Sequence, residues 1–161
     1  MSEEAAAPQR RTAGASIVVQ RHIEWSDTDA SGAYHNTAVP RLMEAAETAL
    51  IDRLGFLDDV YGRLPRVHIE VDFLKPLWHR DLVDVELTVA DVGRTSITYD
   101  VEVRRGDEPC ARGRSVAVLL DQVGGSPVRW PDHYRRLLQS GGPQRPERFG
   151  EDSVRRPDTA H

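Results

Sequence analysis

One stretch of this chain carries apolar residues at helical spacing, while the other apolar stretches alternate. Between residues 37 and 54, Val39, Leu42, Met43, Ala46, Leu50 and Leu54 recur three or four apart, on one face of an α-helix. Gly55 follows as a C-terminal stop, and Pro40 fits only in a first helical turn, so the helix starts near Asn36 or Thr37. A single amphipathic helix cannot bury its stripe alone, and the alternating segments must cover it. In residues 16–25, Ile17, Val19, Ile23 and Trp25 share one face, with Gln20, His22 and Glu24 largely on the other. Val67, Ile69, Val71 and Phe73 form one apolar face, and Val83, Val85, Leu87 and Val89 form another. Gly93-Arg94 reads as a turn into a strand over 95–103, and Arg105-Gly106-Asp107 as a turn into a strand over 111–120. Trp130-Pro131-Asp132 opens a short helix ending near Gln139. The order predicts an α+β fold in which a five-stranded antiparallel sheet wraps one long helix.

A chain of 161 residues suits one domain, assigned here to residues 16–139. Residues 1–15 and 140–161 are rich in Gly, Pro, Ser, Arg and acids and poor in apolar residues, so both read as disordered tails. Positive and negative side chains balance within each tail, which leaves the net charge of −5 on the domain. A net-acidic domain is a poor partner for nucleic acid, which needs a basic face against its phosphates. The one cysteine, Cys110, rules out an intrachain disulfide and any multi-cysteine zinc site. The sequence shows no secretory segment and no apolar run long enough for a membrane helix, so a cytoplasmic location is expected.

Residues 25–36, Trp-Ser-Asp-Thr-Asp-Ala-Ser-Gly-Ala-Tyr-His-Asn, are dense in polar groups for a loop that feeds a buried helix. Asp27, Thr28 and Asp29 could be solvated turn residues, with Asn36 or Thr37 as helix cap. The same residues also suit chemistry, because a carboxylate there stands beside the free N–H groups of a helix start, which favour a developing oxyanion.

Asp-Thr-Asp-Ala-x-Gly, the Asn seven residues after the second Asp, and a helix with Glu44 on its second turn resemble the hotdog-fold acyl-CoA thioesterases of the 4-hydroxybenzoyl-CoA thioesterase type. Leu64-Pro65, Pro76 before Asp81, Gly93-Arg94-Thr95-Ser96 and Trp130-Pro131 follow the same family order, so the resemblance covers about residues 16–139. It implies hydrolysis of an acyl thioester, of coenzyme A or of an acyl carrier protein, to free acid and thiol. Asp29 falls on the family's carboxylate, which acts as nucleophile or general base, and Asn36 on the position whose backbone N–H polarises the carbonyl. His35 stands where Asn or an aromatic is commoner and is a candidate for a second acid–base role. Arg94, Thr95 and Glu44 are the candidates for substrate and coenzyme A contacts. The resemblance further implies a homodimer with a continuous sheet and two interfacial active sites, which could pair into a homotetramer, and no metal or redox cofactor.

Other residues have plainer readings. Cys110 reads as a small buried hydrophobe, Asp27 as a loop-shaping acceptor, and His22, His68 and His79 as surface groups spaced too widely for a metal motif. Trp25 and Trp78 are either core or acyl-pocket residues. Two rival functions remain: a hotdog hydratase or dehydratase of enoyl thioesters, for which His35 would be the base, and a non-catalytic acyl-thioester sensor.

Overall fold

The computed structural model describes residues 14–144. Along the chain these form β1 (Ser16–His22), a 3-10 turn (Trp25–Asp27), α1 (Ala38–Leu54), α2 (Leu57–Val60), β2 (Arg66–Phe73), β3 (Leu82–Val92), β4 (Ser96–Arg105), β5 (Glu108–Val118), α3 (Asp132–Ser140) and β6 (Pro143–Gln144). The strands make one sheet in the order β2-β5-β4-β3-β1-β6, antiparallel throughout except where β6 runs parallel to β1.

Helix α1 follows its sequence signals. Pro40 is its third residue, and Gly55 caps it at φ 88°, with its N–H donating to the carbonyls of Ile51 and Asp52. That left-handed cap conformation costs a side-chain-bearing residue steric strain that glycine avoids. Val39, Leu42, Met43, Ala46 and Leu50 are buried, and they meet Ile17 and Val19 of β1 and Val83, Val85 and Leu87 of β3 in one core. Close approach of α1 to β5 depends on Gly113. A Cβ there would stand 2.9 Å from Met43 Cε and 2.5 Å from the Glu70 carbonyl oxygen. Gly113→Ala is therefore expected to destabilise the fold by about 1–3 kcal/mol through overpacking, read as a lower melting temperature.

The structure corrects the sequence reading in four places. The sheet has six strands, because the Pro143–Gln144 segment adds β6 beside β1. The domain also extends past 16–139. Ala15 is fully buried, its N–H donates to Leu138 O at 2.8 Å, and its carbonyl accepts from Val89 N at 2.9 Å. The Arg53 guanidinium donates to Gly141 O at 3.1 Å, Ser16 O at 3.1 Å and Gly142 O at 2.7 Å. Backbone pairing and one arginine thus order residues 14–15 and 140–144, whose composition offers almost no apolar side chain; the rest of both expected tails lies outside the described residues. Third, Trp25 leaves the face of Ile17 and Val19 for the 3-10 turn and is 79% exposed.

The fourth correction concerns β2. Val71 packs partly against the core, but the other residues of its apolar face are open: Val67 is 59% exposed, Ile69 40% and Phe73 47%. α1 packs chiefly over β1 and β3, and β2, at the sheet edge, meets it through the Arg66–Glu47 ion pair at its start. An edge strand with unpaired backbone and an open apolar face is a template for pairing with another chain. Among the described residues, no helix is long and apolar enough to cross a membrane.

Candidate active site

The polar loop between β1 and α1 is a tight, internally bonded structure. Asp29 N donates to Ala33 O at 3.0 Å and Gly32 N to Asp29 O at 3.0 Å, while Gly32 turns the chain at φ 83°. Tyr34 fixes the loop to the sheet: its N–H donates to Leu77 O at 2.8 Å, and its buried hydroxyl lies 3.1 Å from Lys75 O and 3.2 Å from Cys110 O. Its ring packs against Phe73, with centroids 5.5 Å apart. The segment after β2 is thereby held against the start of α1, and between them lies a cleft of about 420 Å³ lined by Asp29, Tyr34, His35, Asn36 and residues 73–76.

Asp29 is exposed at this cleft. Its Oδ1 accepts from Ser31 N at 2.7 Å and from Ser31 Oγ at 2.5 Å, and its other oxygen makes no hydrogen bond among the described residues. The Ser31 hydroxyl, then the Ser31 N–H, hold the carboxyl below the usual aspartate value, with nearby His35 adding to the effect, so Asp29 is anionic at neutral pH. If the anion is the active form, kcat/KM falls as pH drops through this lowered pKa. Ser31→Ala removes its largest cause, and the acid limb of the kcat/KM profile is then expected to move to higher pH; a limb that stays in place would dissociate Asp29 from the profile.

Asp27 does different work. One carboxylate oxygen accepts from Glu24 N at 2.8 Å and the other pairs with Arg41 at 3.0 Å, while its carbonyl accepts from His35 N at 2.6 Å. It ties the loop together, as the sequence reading expected of a structural acceptor. His35 Nδ1 accepts from Thr37 N at 3.1 Å and lies 2.9 Å from Thr37 Oγ1, so that nitrogen caps the start of α1 and only Nε2 remains for acid–base work. Ala38 N bonds His35 O at 2.9 Å, whereas Asn36 N–H has no hydrogen bond among the described residues and remains available to an oxyanion.

The other expected contacts stand apart. Arg94 and Thr95 follow β3, whose eleven residues carry the chain roughly 35 Å from its start beside the cleft. Within one chain they do not reach Asp29. Glu44 is also absent from this cleft; it lines a second one, of about 620 Å³, with Glu47, Thr48, Leu64 and Arg66 among the other lining residues. There Arg66 grips Glu47 at 2.8 and 3.4 Å and approaches Glu44 at 3.9 Å. Burial pushes the Glu47 carboxyl up, against the downward pull of Arg66. Neither Trp25 nor Trp78 is core or lines either cleft; Trp78 is 46% exposed and covers Gly32. Sequence reasoning missed Lys75, a cationic residue that borders the Asp29 cleft, since only the fold brings it across 46 residues to the loop.

Comparison with known proteins agrees with this architecture. The profile of the thioesterase-like superfamily matches residues 23–138. A 1,4-dihydroxy-2-naphthoyl-CoA hydrolase from Synechococcus elongatus is 29% identical over 126 residues, covering 74% of this chain and 93% of that protein. Among solved structures, a predicted thioesterase from Bacillus stearothermophilus superposes with a TM-score of 0.71 at 28% identity, over 82% of this chain and 99% of that one. A thioesterase from Thermus thermophilus, complexed with coenzyme A and Zn, gives a TM-score of 0.68 at 27% identity, over 76% of this chain and 90% of that one. The matched range spans the loop, the long helix and every strand from β2 to β5, and on that evidence the chain belongs to the thioesterase-like superfamily of hotdog folds and is a thioester hydrolase.

Proposed function

We propose that this enzyme hydrolyses an aromatic acyl thioester of coenzyme A, with Asp29 as the reacting carboxylate and the start of α1 as the oxyanion site. One observation carries the reading: an ionised carboxylate with a free oxygen and an unpaired helix-start N–H, that of Asn36, border the same cleft. The carbonyl oxygen would accept from Asn36 N–H, and Asp29 would either attack the carbonyl carbon or take a proton from the attacking water. In both routes the C–S bond breaks and the thiolate leaves and is protonated; in the base route water supplies the new oxygen of the released acid, whereas in the nucleophilic route that oxygen comes from Asp29 when water cleaves the anhydride at the aspartyl carbon. In the nucleophilic route an acyl-aspartyl anhydride forms first and water then cleaves it, so a single turnover in ¹⁸O-labelled water can mark Asp29; the base route leaves it unmarked. The aromatic acyl group is proposed from the 1,4-dihydroxy-2-naphthoyl-CoA hydrolases among the relatives. The reaction draws on the chain's own groups and water. Free-thiol release from aroyl-CoA, lost in Asp29→Asn, tests it.

The working unit in this reading is a dimer that pairs the two β2 edges. It would extend the sheet across both subunits and cover Ile69 and Phe73. Antiparallel pairing about a two-fold axis sets the end of β2 in one chain opposite the start of β2 in the other, and the β3–β4 turn lies at that latter end of the sheet. Arg94 and Thr95 would then serve the partner subunit's cleft, with Lys75 at the mouth of its own, as contacts for the phosphates of coenzyme A. Lys75→Ala and Arg94→Ala are each expected to raise KM for acyl-CoA several-fold with kcat little changed, because phosphate contacts are alike in ground and transition states. The matching thioester of pantetheine, which lacks the nucleotide, should not register either change.

A further inference from the structure

His35 is tied to the backbone on both sides of Asn36. Its N–H donates to Asp27 O at 2.6 Å, its carbonyl accepts from Ala38 N at 2.9 Å, and its Nδ1 accepts from Thr37 N at 3.1 Å. A side-chain acceptor on one residue that takes the N–H two residues on is the bond of an Asx turn, with an imidazole nitrogen here in the place of the Asn or Asp oxygen. Thr37 holds the N-cap position of α1, but its own side chain makes no capping bond. The helix start is capped by His35 instead.

These bonds decide which N–H is left for the cleft. Thr37 N–H and Ala38 N–H, the two that follow Asn36, are both held by His35, one by its ring and one by its carbonyl. The Asn36 N–H belongs to the same peptide as that carbonyl. In a planar trans peptide the C=O and N–H point to opposite sides, so a carbonyl turned to Ala38 sends the Asn36 N–H out of the helix start, where Asn36 lines the cleft. Without the Nδ1 acceptor, Thr37 N–H would stand unpaired beside that of Asn36, and the turn that aims the peptide would lose its side-chain anchor. The same bond fixes the chemistry of the ring. A neutral imidazole that accepts at Nδ1 carries its proton on Nε2, so Nε2 has no lone pair with which to take a proton from water.

We infer that His35 is a positioning residue, whose Nδ1 holds the turn so that the Asn36 N–H meets the carbonyl oxygen of the thioester, and whose ring transfers no proton. This rests on the start of α1 as the oxyanion site. A donor aimed at the oxygen matters most when charge develops there, so the effect belongs to kcat more than to KM.

Three substitutions separate the two ring nitrogens. His35→Asn sets an amide oxygen where Nδ1 stands, His35→Gln sets an amide where Nε2 stands, and His35→Phe keeps a ring with neither nitrogen. His35 is exposed, so all three are expected to fold, as thermal melting would verify. With benzoyl-CoA, kcat should fall about tenfold or more in His35→Phe and His35→Gln and stay within about threefold of wild type in His35→Asn. Rescue by Gln and not by Asn would assign proton transfer to Nε2 and overturn the inference, as would three unchanged values of kcat or a loss that Asn does not restore. The infrared carbonyl stretch of benzoyl-CoA, ¹³C-labelled at that carbonyl and bound to Asp29→Asn, then reads the oxyanion site without turnover. It should lie below its value in water, move back towards that value when His35→Phe is added, and stay low with His35→Asn. A lowered stretch that His35→Phe leaves in place would overturn the inference while keeping the oxyanion site; a stretch not lowered even with His35 intact would bring down both. Hydrolysis by Asp29→Asn would bring down the Asp29 reading alone, and the ranking of kcat would still decide the role of His35.

Discussion

Replacing Asp29 by Asn is expected to lower kcat by about 10² or more, the scale of losing a positioned base or nucleophile, with the melting temperature nearly unchanged. Asn keeps the size of the side chain and an acceptor for Ser31, and Asp29 is exposed, so nothing in the core depends on its charge. Asp27→Asn is the control two residues away. Its carboxylate bonds Glu24 N and Arg41, and the change should loosen the loop and lower thermal stability more than it lowers the rate. Measured together by steady-state kinetics and thermal melting, the two variants separate chemistry from loop structure. Near-wild-type hydrolysis by Asp29→Asn beside an inactive Asp27→Asn would shift the reacting carboxylate by two residues.

The second large effect is expected at the sheet edge. Ile69→Asp places a charge on the open apolar face of β2, where Ile69 is 40% exposed in the isolated chain. The isolated fold tolerates a solvated Asp there, but an interface built on this strand does not, since burying an unpaired carboxylate costs several kcal/mol. The variant should sediment as a folded monomer and lose at least 10²-fold in kcat/KM, because each cleft would lack its other half. A fully active monomer would show that one chain holds a complete site.

The parts of this structure legible in the sequence are those fixed by local periodicity. The stripe from Val39 to Leu54 and the stops at Pro40 and Gly55 give α1 within a residue, and the alternating strands fall close to their observed positions. Asp29, His35 and Asn36 were also legible as a group, since they sit in one loop and share a cleft. What escaped depends on distant partners. Pro143 and Gln144 pair by backbone alone, and Arg53 bonds carbonyls from three positions, neither of which leaves an apolar pattern. The alternation of β2 announces an apolar face without saying whether helix, partner or solvent covers it. Glu44 and Arg94 are the expected substrate contacts, but Glu44 turns to the second cleft beside Arg66, and the length of β3 carries Arg94 away from Asp29 within one chain; only the fold shows this.

Simultaneous detection of free thiol and of the acyl product with 4-hydroxybenzoyl-CoA, and separately with an enoyl-CoA, tests the central claim most directly. Hydrolysis at the Asp29 cleft predicts one thiol and one free acid per aroyl-CoA consumed, with no hydration of the enoyl double bond. Hydration of the enoyl-CoA without thiol release would make the loop and helix start a hydratase site, and tight binding of both thioesters without turnover would make them a sensor; either result would contradict the hydrolytic account of this cleft.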